Sequence, residues 1–510
     1  MTPKSSLLSI DRPYVWLLVA LPLFVPSLFV PMSSDNSIYQ SMAYDLLEFG
    51  KMPYLGSWDQ NFPGIVAIHG VVIAIFGGSD LAFRIFDVLY QLAFCALLFR
   101  TLRLYGGSVW AGLAVLLYAQ YYGRNDYMFF GQRELFAHGF ALLAIWYRHK
   151  ERDHSIIAGC FYGIAALTKP TVAVVVLPLI LALPDARSLN FGTVSKLALG
   201  SIIPIAVVIA IYSFFPGGVT ELYLATIRYN MDVYSHGVAS VWATLLTSRR
   251  HAFMYPLAII GVFMLLRQAG STRVRIVYAV TIIVAFVMVM MQSRLLIYHY
   301  STLFLLLAPL AAVPLERIYR ILRLRPLYLG IASILFVVLL TGRRPAIQAY
   351  VSNMGSVGAL DSAYEATDAQ SQSRPKDVDA VVAYLARYPE SRVEVMSNHA
   401  RLRDKLKRNS ATRFTLMHPI GLYTGPTASP IFTEYQERWQ QEFLDSLDAV
   451  RPEFIVIARN TVCLQLYDPW ETVLQPLPGF APWFVTNYRP DTTIANFEIY
   501  RIIEGAENSH

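Results

Sequence analysis

Apolar runs carrying few charges follow one another along the first two thirds of the chain. They predict membrane-crossing helices at Tyr14–Val30, Leu81–Leu104, Val109–Tyr122, Leu135–Trp146, Ile156–Leu167, Thr171–Leu183, Leu197–Phe215, Ala252–Leu266, Ile276–Met291, Leu295–Val313 and Leu327–Leu340. A full crossing takes about 20 residues, so the shorter runs borrow flanking residues or tilt differently. Tyr14–Val30 has no small-residue cleavage site behind it and reads as a retained first helix. One further run, Ile65–Phe76, is apolar but spans only about 12 residues, well short of a crossing.

The bias of Lys and Arg decides where that short run goes, because cytoplasmic loops hold the basic excess. With a cytoplasmic N-terminus and no crossing at Ile65–Phe76, one side collects Arg100/Arg103, Arg148/Lys150/Arg152, Arg187/Lys196, Arg267/Arg273/Arg275 and Arg317/Arg320/Arg323/Arg325. A crossing there would invert everything downstream. The run is therefore read as a juxtamembrane or re-entrant piece, and eleven crossings place the chain beyond Thr341 outside the cytoplasm.

That tail changes character. Lys376–Tyr388 predicts an amphipathic helix with Val378, Val381, Val382 and Leu385 on one face. Arg392–Met396 and Glu453–Ala458 read as buried strands, Gln436–Leu447 as another helix and Asn496–Ile502 as a closing strand. Helices alternating with strands predict a small α/β domain. The expected architecture is a mainly α, polytopic membrane protein of about eleven spans over residues 1–341, with its first outer loop at 31–64 and an α/β domain at 342–510.

Composition agrees with this class. Of 510 residues, 55% are hydrophobic and only 15% charged, against about 25% charged in a soluble protein. A plain cytosolic enzyme, a disordered chain and a nucleic-acid binder are excluded. The net charge of +7 fits basic residues anchoring cytoplasmic loops. Cys95, Cys160 and Cys463 form no disulfide framework or zinc spacing. The histidines are scattered, so no metal site is read and no cofactor is expected.

The outer loops hold the candidate chemistry. Ser33/Ser34 can cap a helix from Asp35 to Phe49, and Gly50 can end it. Ile38, Met42, Leu46 and Phe49 recur at helical spacing, as in a helix lying in the interface. Asp35 falls in its first turn, where a carboxylate is favoured. Basic residues gather on the same side: Arg84, Arg124, Arg133, Lys169, Arg228, Arg249, Arg250 and Arg294. Cations near a membrane boundary are costly and have a partner or a task; several at one depth suit a phosphate. Snorkelling to the interface would explain about half of such residues equally well. A sugar on a lipid phosphate already carries a good leaving group. Its transfer needs cations for the departing phosphate and a base for the acceptor hydroxyl. There is no P-loop and no GxGxxG after a strand.

The first loop resembles the GT-C superfamily of polyprenyl-phosphate-dependent glycosyltransferases, the group containing protein O-mannosyltransferases and the aminoarabinose transferase of lipid A. The resemblance rests on Asp35 just after the first helix, the turn Gly50-Lys-Met-Pro-Tyr54, WDQNFPG at Trp58–Gly64 and GIAALTKP at Gly163–Pro170. FRIFD at Phe83–Asp87 and GQRE at Gly131–Glu134 look like a bacterial branch. It covers roughly residues 10–320 and weakens in the tail. The resemblance implies that Asp35 is the base, that displacement at the anomeric carbon is inverting, and that the donor is of the undecaprenyl-phosphate-sugar type. It also implies a bacterial inner-membrane protein with a cavity open to the periplasm. The acceptor would be lipid A or lipopolysaccharide, a surface glycan or a protein. WDQNFPG departs from the family's usual Asp-x-Lys-Pro-Pro pattern, with Asn61 where many relatives have a lysine and Phe62 replacing the first proline. Phosphate binding then passes to Arg84, Arg133, Lys169 and Arg294, with His299 near the outer end of the tenth span. Asn36 follows Asp35 where relatives often carry a second acid, so that role falls to Asp59, Asp126 or Glu134. Tyr39, Tyr44, Tyr54, Trp58 and Asn61 are candidate sugar or acceptor contacts, with interfacial anchoring as the competing role for the aromatic residues. Two other classes share the multi-span plan: a polysaccharide polymerase or ligase using a diphospholipid donor, and a lipid or sugar transporter. A transporter would more often show matched halves and midplane charges, which are absent from the sequence.

Overall fold

The computed structural model describes residues 10–125, 127–150, 153–182, 190–234, 238–267, 272–322, 328, 375–421, 433–459 and 468–503. Asp126, Arg152, Arg187, Arg323, Arg325, Cys463 and, apart from Tyr328, the run Leu327–Leu340 lie outside these described residues. The helices before residue 323 are α1 Pro13–Phe24, α2 Ser34–Phe49, α3 Pro63–Phe76, α4 Asp80–Leu102, α5 Ser108–Gly123, α6 Arg133–Arg148, α7 Ser155–Thr168, α8 Pro170–Ala182, α9 Phe191–Ser213, α10 Gly218–Tyr223, α11 Val241–Thr247, α12 Met254–Leu266, α13 Thr272–Met291 and α14 Ser301–Leu322.

The chain divides into two units. The first comprises Met1–Val30, Asp80–Ile211 and Gly237–Gln348; the second comprises Pro31–Ser79, Tyr212–His236 and Ala349–His510.

In the first unit, α5 is buried on nearly every side and α14 along most of its length. An α-helix apolar all round belongs in a core, and these two pack on each other and on α1, α4 and α12. α9 instead leaves most of its apolar side chains exposed, among them Ile202 and Val207, and α13 leaves Ile276, Val280, Ile283, Val287 and Met291 exposed. Among the described residues, four helices are long and apolar enough to cross a bilayer: Asp80–Leu102, Phe191–Ser213, Thr272–Met291 and Ile297–Leu322. α7, α8 and α12 are apolar but shorter. Close approach of α7 to α9 depends on Gly159 and Gly163. A Cβ on Gly159 would meet the Leu197 carbonyl, and one on Gly163 the Ser201 carbonyl. This is the small-residue packing that lets membrane helices touch backbone to backbone.

In the second unit, Ser33 caps α2, its side chain accepting the Asn36 N–H, and Gly50 ends it at φ +64°. The apolar face expected to lie against lipid is divided. Ile38 and Met42 are buried, whereas Leu46 and Phe49 are exposed. The buried half also carries polar ties to the tail: Gln40 donates to Asp404 at 2.9 Å, and Asp45 pairs with Arg403 at 3.1 Å. α3 packs on α2. Its 14 residues span about 21 Å, below the ~30 Å of a hydrocarbon core.

The tail carries a four-stranded sheet in the order β1-β2-β4-β3, with β1 Val393–Met396, β2 Phe454–Ala458, β3 Tyr488–Ile494 and β4 Phe497–Ile502. β1 and β2 run parallel and the other pairs antiparallel. Helices Pro375–Leu385 and Glu434–Val450 stand where the periodicity put them, and Val378, Val381 and Leu385 are fully buried on the sheet side. β3 was not expected. It is an edge strand containing Pro490, mostly exposed, with a register shift at Pro490/Thr492, and proline is confined to such positions in sheets.

Glu394 on β1 is fully buried. Its carboxylate accepts hydrogen bonds from the Ser410 and Thr412 hydroxyls and from the Ala411 and Thr412 N–H groups at 2.5–3.0 Å. Removing a buried acceptor leaves its donors unsatisfied at roughly 1–3 kcal/mol each. Glu394→Ala is therefore expected to lower the melting temperature of the purified protein by several degrees and to speed amide exchange at 410–414. An unchanged exchange rate there would contradict this account.

Candidate functional site

Candidate residues of the first unit converge on Glu134. α6 starts at Arg133, so Arg133 and Glu134 occupy its first turn. Lys169 comes from the corner between α7 and α8. The residue before a proline is pushed out of the α region, and Lys169 is extended at φ −154°, ψ 99° before Pro170 opens the next helix. Its ammonium lies 2.8 Å from Glu134 Oε1, with both side chains almost fully buried. Arg133 approaches the same oxygen at 3.8 Å, and its guanidinium lies 5.8 Å from the Tyr298 ring.

His299 stands in a 3-10 turn, Ile297–Tyr300, leading into α14, and its ring lies edge-on to Tyr298 at 4.9 Å. Lys169, Glu134, Arg133 and Arg294 are all near enough to act on its charge. Arg294 sits between Ser293 and Leu295, two residues at φ +51° and +50°. Positive φ at non-glycine residues costs energy and clusters at functional sites. Four of the five groups chosen for donor phosphate are thus gathered in one cluster from three separated chain segments.

The fifth, Arg84, is placed differently. It is fully buried, and its guanidinium donates to the carbonyls of Val30 at 3.1 Å and Phe130 at 3.0 Å.

In the second unit, Asp35 occupies the first turn of α2 and is half-buried. Asp59 closes a local turn by accepting from the Asn61 backbone at 3.0 Å and its side chain at 2.7 Å, so Asn61 is engaged with Asp59. That turn leads through Phe62 to Pro63, the first residue of α3, a position suited to proline. Tyr54 adopts φ +68° and donates its hydroxyl to Asn61 O at 2.6 Å. Trp58 packs edge-on to Tyr229 at 5.0 Å and Trp439 at 5.2 Å, and Tyr39 packs on His69 at 5.7 Å. Tyr39, Tyr54 and Trp58 are all fully or almost fully buried inside the protein. Tyr44 is partly buried, with Lys407 over its ring at 5.4 Å.

Sequence reasoning missed two sets of residues. One is Asp87, Gln91, Tyr118 and Tyr122, a buried hydrogen-bonded chain in which Tyr122 donates to Asp87 at 2.5 Å, Gln91 to Asp87 at 3.1 Å and Tyr118 to Gln91 at 2.8 Å. A carboxylate inside a predicted span was the available signal. The other is Arg413 with Glu221 and Glu442, for which the polar, aperiodic tail offered none.

Breaking a buried ion pair from one side costs about 3–5 kcal/mol, because the surviving charge loses its partner. Glu134→Gln should therefore destabilise the protein strongly in a thermal melt, and Glu134→Gln/Lys169→Met should recover part of the loss. Equal loss in the single and double variants would show that the two side chains are not coupled.

Residues 61–216 match the family model described as Dolichyl-phosphate-mannose-protein mannosyltransferase. That stretch contains FRIFD, GQRE and GIAALTKP but not Asp35. No curated protein matches the chain in sequence. Among solved structures, the chain is similar to ArnT from Cupriavidus metallidurans in the apo state, at a TM-score of 0.57 and 13% identity, over 97% of this chain and 98% of that one. The family match over residues 61–216, under a third of the chain, and an ArnT-like fold along nearly the whole chain both agree with the resemblance read from the sequence.

Proposed function

We propose that this protein is a membrane glycosyltransferase that moves a sugar from a polyprenyl-phosphate donor to an acceptor hydroxyl on the extracytoplasmic side. The observation that carries the reading is the gathering of Arg133, Lys169 and His299 about Glu134 at helix ends, with Arg294 near His299. Several fixed cationic donors converging from separate segments suit a phosphate, because they meet the charge that develops on it as the sugar leaves. Glu134 holds Lys169 in place rather than acting on substrate. Asp35 would take the proton of the acceptor hydroxyl. The acceptor oxygen then bonds to the anomeric carbon as the bond from that carbon to the phosphate oxygen breaks. The lipid phosphate departs with that electron pair, and a single displacement of this kind inverts configuration.

Membrane parity supports the outward placement of the second unit. Its segments Pro31–Ser79 and Tyr212–His236 are joined through six helices among the described residues, α4 to α9. If each of these crosses, the even number returns the chain to the side it left, as membership of one unit requires. A crossing by α3 would put the two ends of Pro31–Ser79 on opposite sides. With the N-terminus cytoplasmic, as the basic loops favour, the shared side is the periplasm of a bacterial inner membrane. Lipid A or lipopolysaccharide, a surface glycan and a protein are the acceptors in reach there.

The test is mass spectrometry of lipid-linked sugars and surface glycans from cells with and without the gene. Loss of the gene should leave one polyprenyl-phosphate sugar accumulating and one glycan residue missing. Cells carrying Asp35→Asn at normal protein level should match the deletion, since loss of a general base costs about 10²–10⁴ in rate. A wild-type glycan profile in those cells would remove Asp35 from the mechanism. Labelling of engineered cysteines at positions 60 and 220 from opposite sides of the membrane would overturn the topology.

A further inference from the structure

We infer that Arg84 and Asp87 together clamp a single peptide group, and that this clamp positions Arg133 and Glu134; Arg84 is then a positioning residue, not a phosphate ligand. The inference rests on the reading of the Glu134 cluster as the phosphate site.

Both residues lie on α4 one turn apart, so their side chains share a face. Arg84 Nη1 donates to the carbonyl of Phe130 at 3.0 Å, and the guanidinium stands 5.7 Å from the Phe130 ring. Asp87 accepts the N–H of Gly131. The Phe130 carbonyl and the Gly131 N–H are the two polar ends of the same peptide unit. A donor on one end and an acceptor on the other fix the plane of that peptide in both senses, because turning it over would oppose both partners at once. The remaining reach of each side chain is also used. Arg84 Nε binds Val30 O at 3.1 Å, at the end of the chain that follows α1. Asp87 takes the Tyr122 hydroxyl at 2.5 Å and Gln91 at 3.1 Å. Tyr122 in turn stacks on Phe130 at 4.9 Å. One helix face therefore holds the last turn of α5 and the far end of the loop that follows it.

The peptide's position gives it leverage. Gly131 adopts φ +69°, open to glycine at little cost but worth about 1 kcal/mol or more to a residue with a Cβ. Gln132 follows as the N-cap of α6, then Arg133 and Glu134. The torsions on either side of the clamped peptide thus set the direction in which α6 begins and where its first two charges stand. An error of about 1 Å at such a point can cost on the order of a hundredfold in a reaction that depends on alignment. Arg84 and Asp87 are the charged residues of FRIFD, and Gly131 opens GQRE; the clamp is a physical reason for these two pieces to occur together in one chain.

Two measurements test this. A nitroxide on Met128→Cys, an exposed position within the same loop, reads loop order in a background lacking the native cysteines. Affinity for undecaprenyl phosphate reads the cluster without requiring turnover. Arg84→Lys keeps the charge but loses the fork, and Asp87→Asn keeps the size but loses one acceptor. Both are expected to elute as folded protein, to mobilise the label, and to weaken undecaprenyl phosphate binding by about tenfold. Combined with Lys169→Met, neither should weaken binding further by its full single effect, because both would act through one unit. Gly131→Ala should reproduce the phenotype from the other side of the clamp. A label as immobile in Arg84→Lys and Asp87→Asn as in the parent would overturn the inference. Full additivity with Lys169→Met would overturn the link from clamp to cluster. A parent protein that does not bind undecaprenyl phosphate would instead overturn the phosphate reading, and the label alone would then decide the clamp.

Discussion

Arg413 is the side chain on which the second unit depends. Its guanidinium donates to the backbone carbonyl of Tyr54 and pairs with Glu221 at 2.9 Å and Glu442 at 2.7 Å. It thereby ties together the first loop, the segment after α9 and a tail helix, three stretches separated by long apolar runs. Its own carbonyl accepts the Trp58 N–H at 2.7 Å. Trp439 adds its indole N–H to Glu221 at 3.2 Å. A planar guanidinium suits this task because its donors point in fixed directions, and both terminal nitrogens of Arg413 meet acceptors, which makes a buried cation tolerable. Glu394 supports it one step back by ordering the 410–412 backbone just before Arg413.

The first unit meets a related problem in its buried interior. Some of its buried polar side chains are held in short chains: Tyr118 donates to Gln91, and Gln91 and Tyr122 both donate to Asp87, while Lys169 pairs with Glu134. Unmet polar groups in an apolar surrounding cost several kcal/mol, so such chains are rigid or absent. Rigidity is what a site that stabilises a departing phosphate would require of its cations, since donors already in place need no reorganisation when charge develops. The loop from Arg124 to Gln132 is where structural and candidate chemical roles meet, because the contacts that shape it also aim α6.

The motif residues divide along the same line. In WDQNFPG, Asp59 and Asn61 satisfy each other and Trp58 is packed among aromatic rings, so most of the segment shapes a turn and starts a helix. In GIAALTKP, Gly163 allows helix contact and Pro170 breaks the helix at Lys169. Family-like sequence around a site therefore consists largely of residues that hold a few reactive groups in position.

Local pattern by itself determined the apolar helices, the Ser33 cap and Gly50 stop of α2, the corner at Lys169 and three of the four tail strands. Each of these follows from side-chain periodicity or from backbone rules for proline and glycine that act within a few residues. Only tertiary structure decided that Ile38 and Met42 face protein instead of lipid, that Arg84 serves a peptide group, that Arg133, Glu134, Lys169 and His299 meet, and that Arg413 joins three distant segments. The physical reason is range. A hydrophobic period reports whether a face is buried but not what buries it, and a charge in a sequence carries no record of the partner that folding brings to within 3 Å.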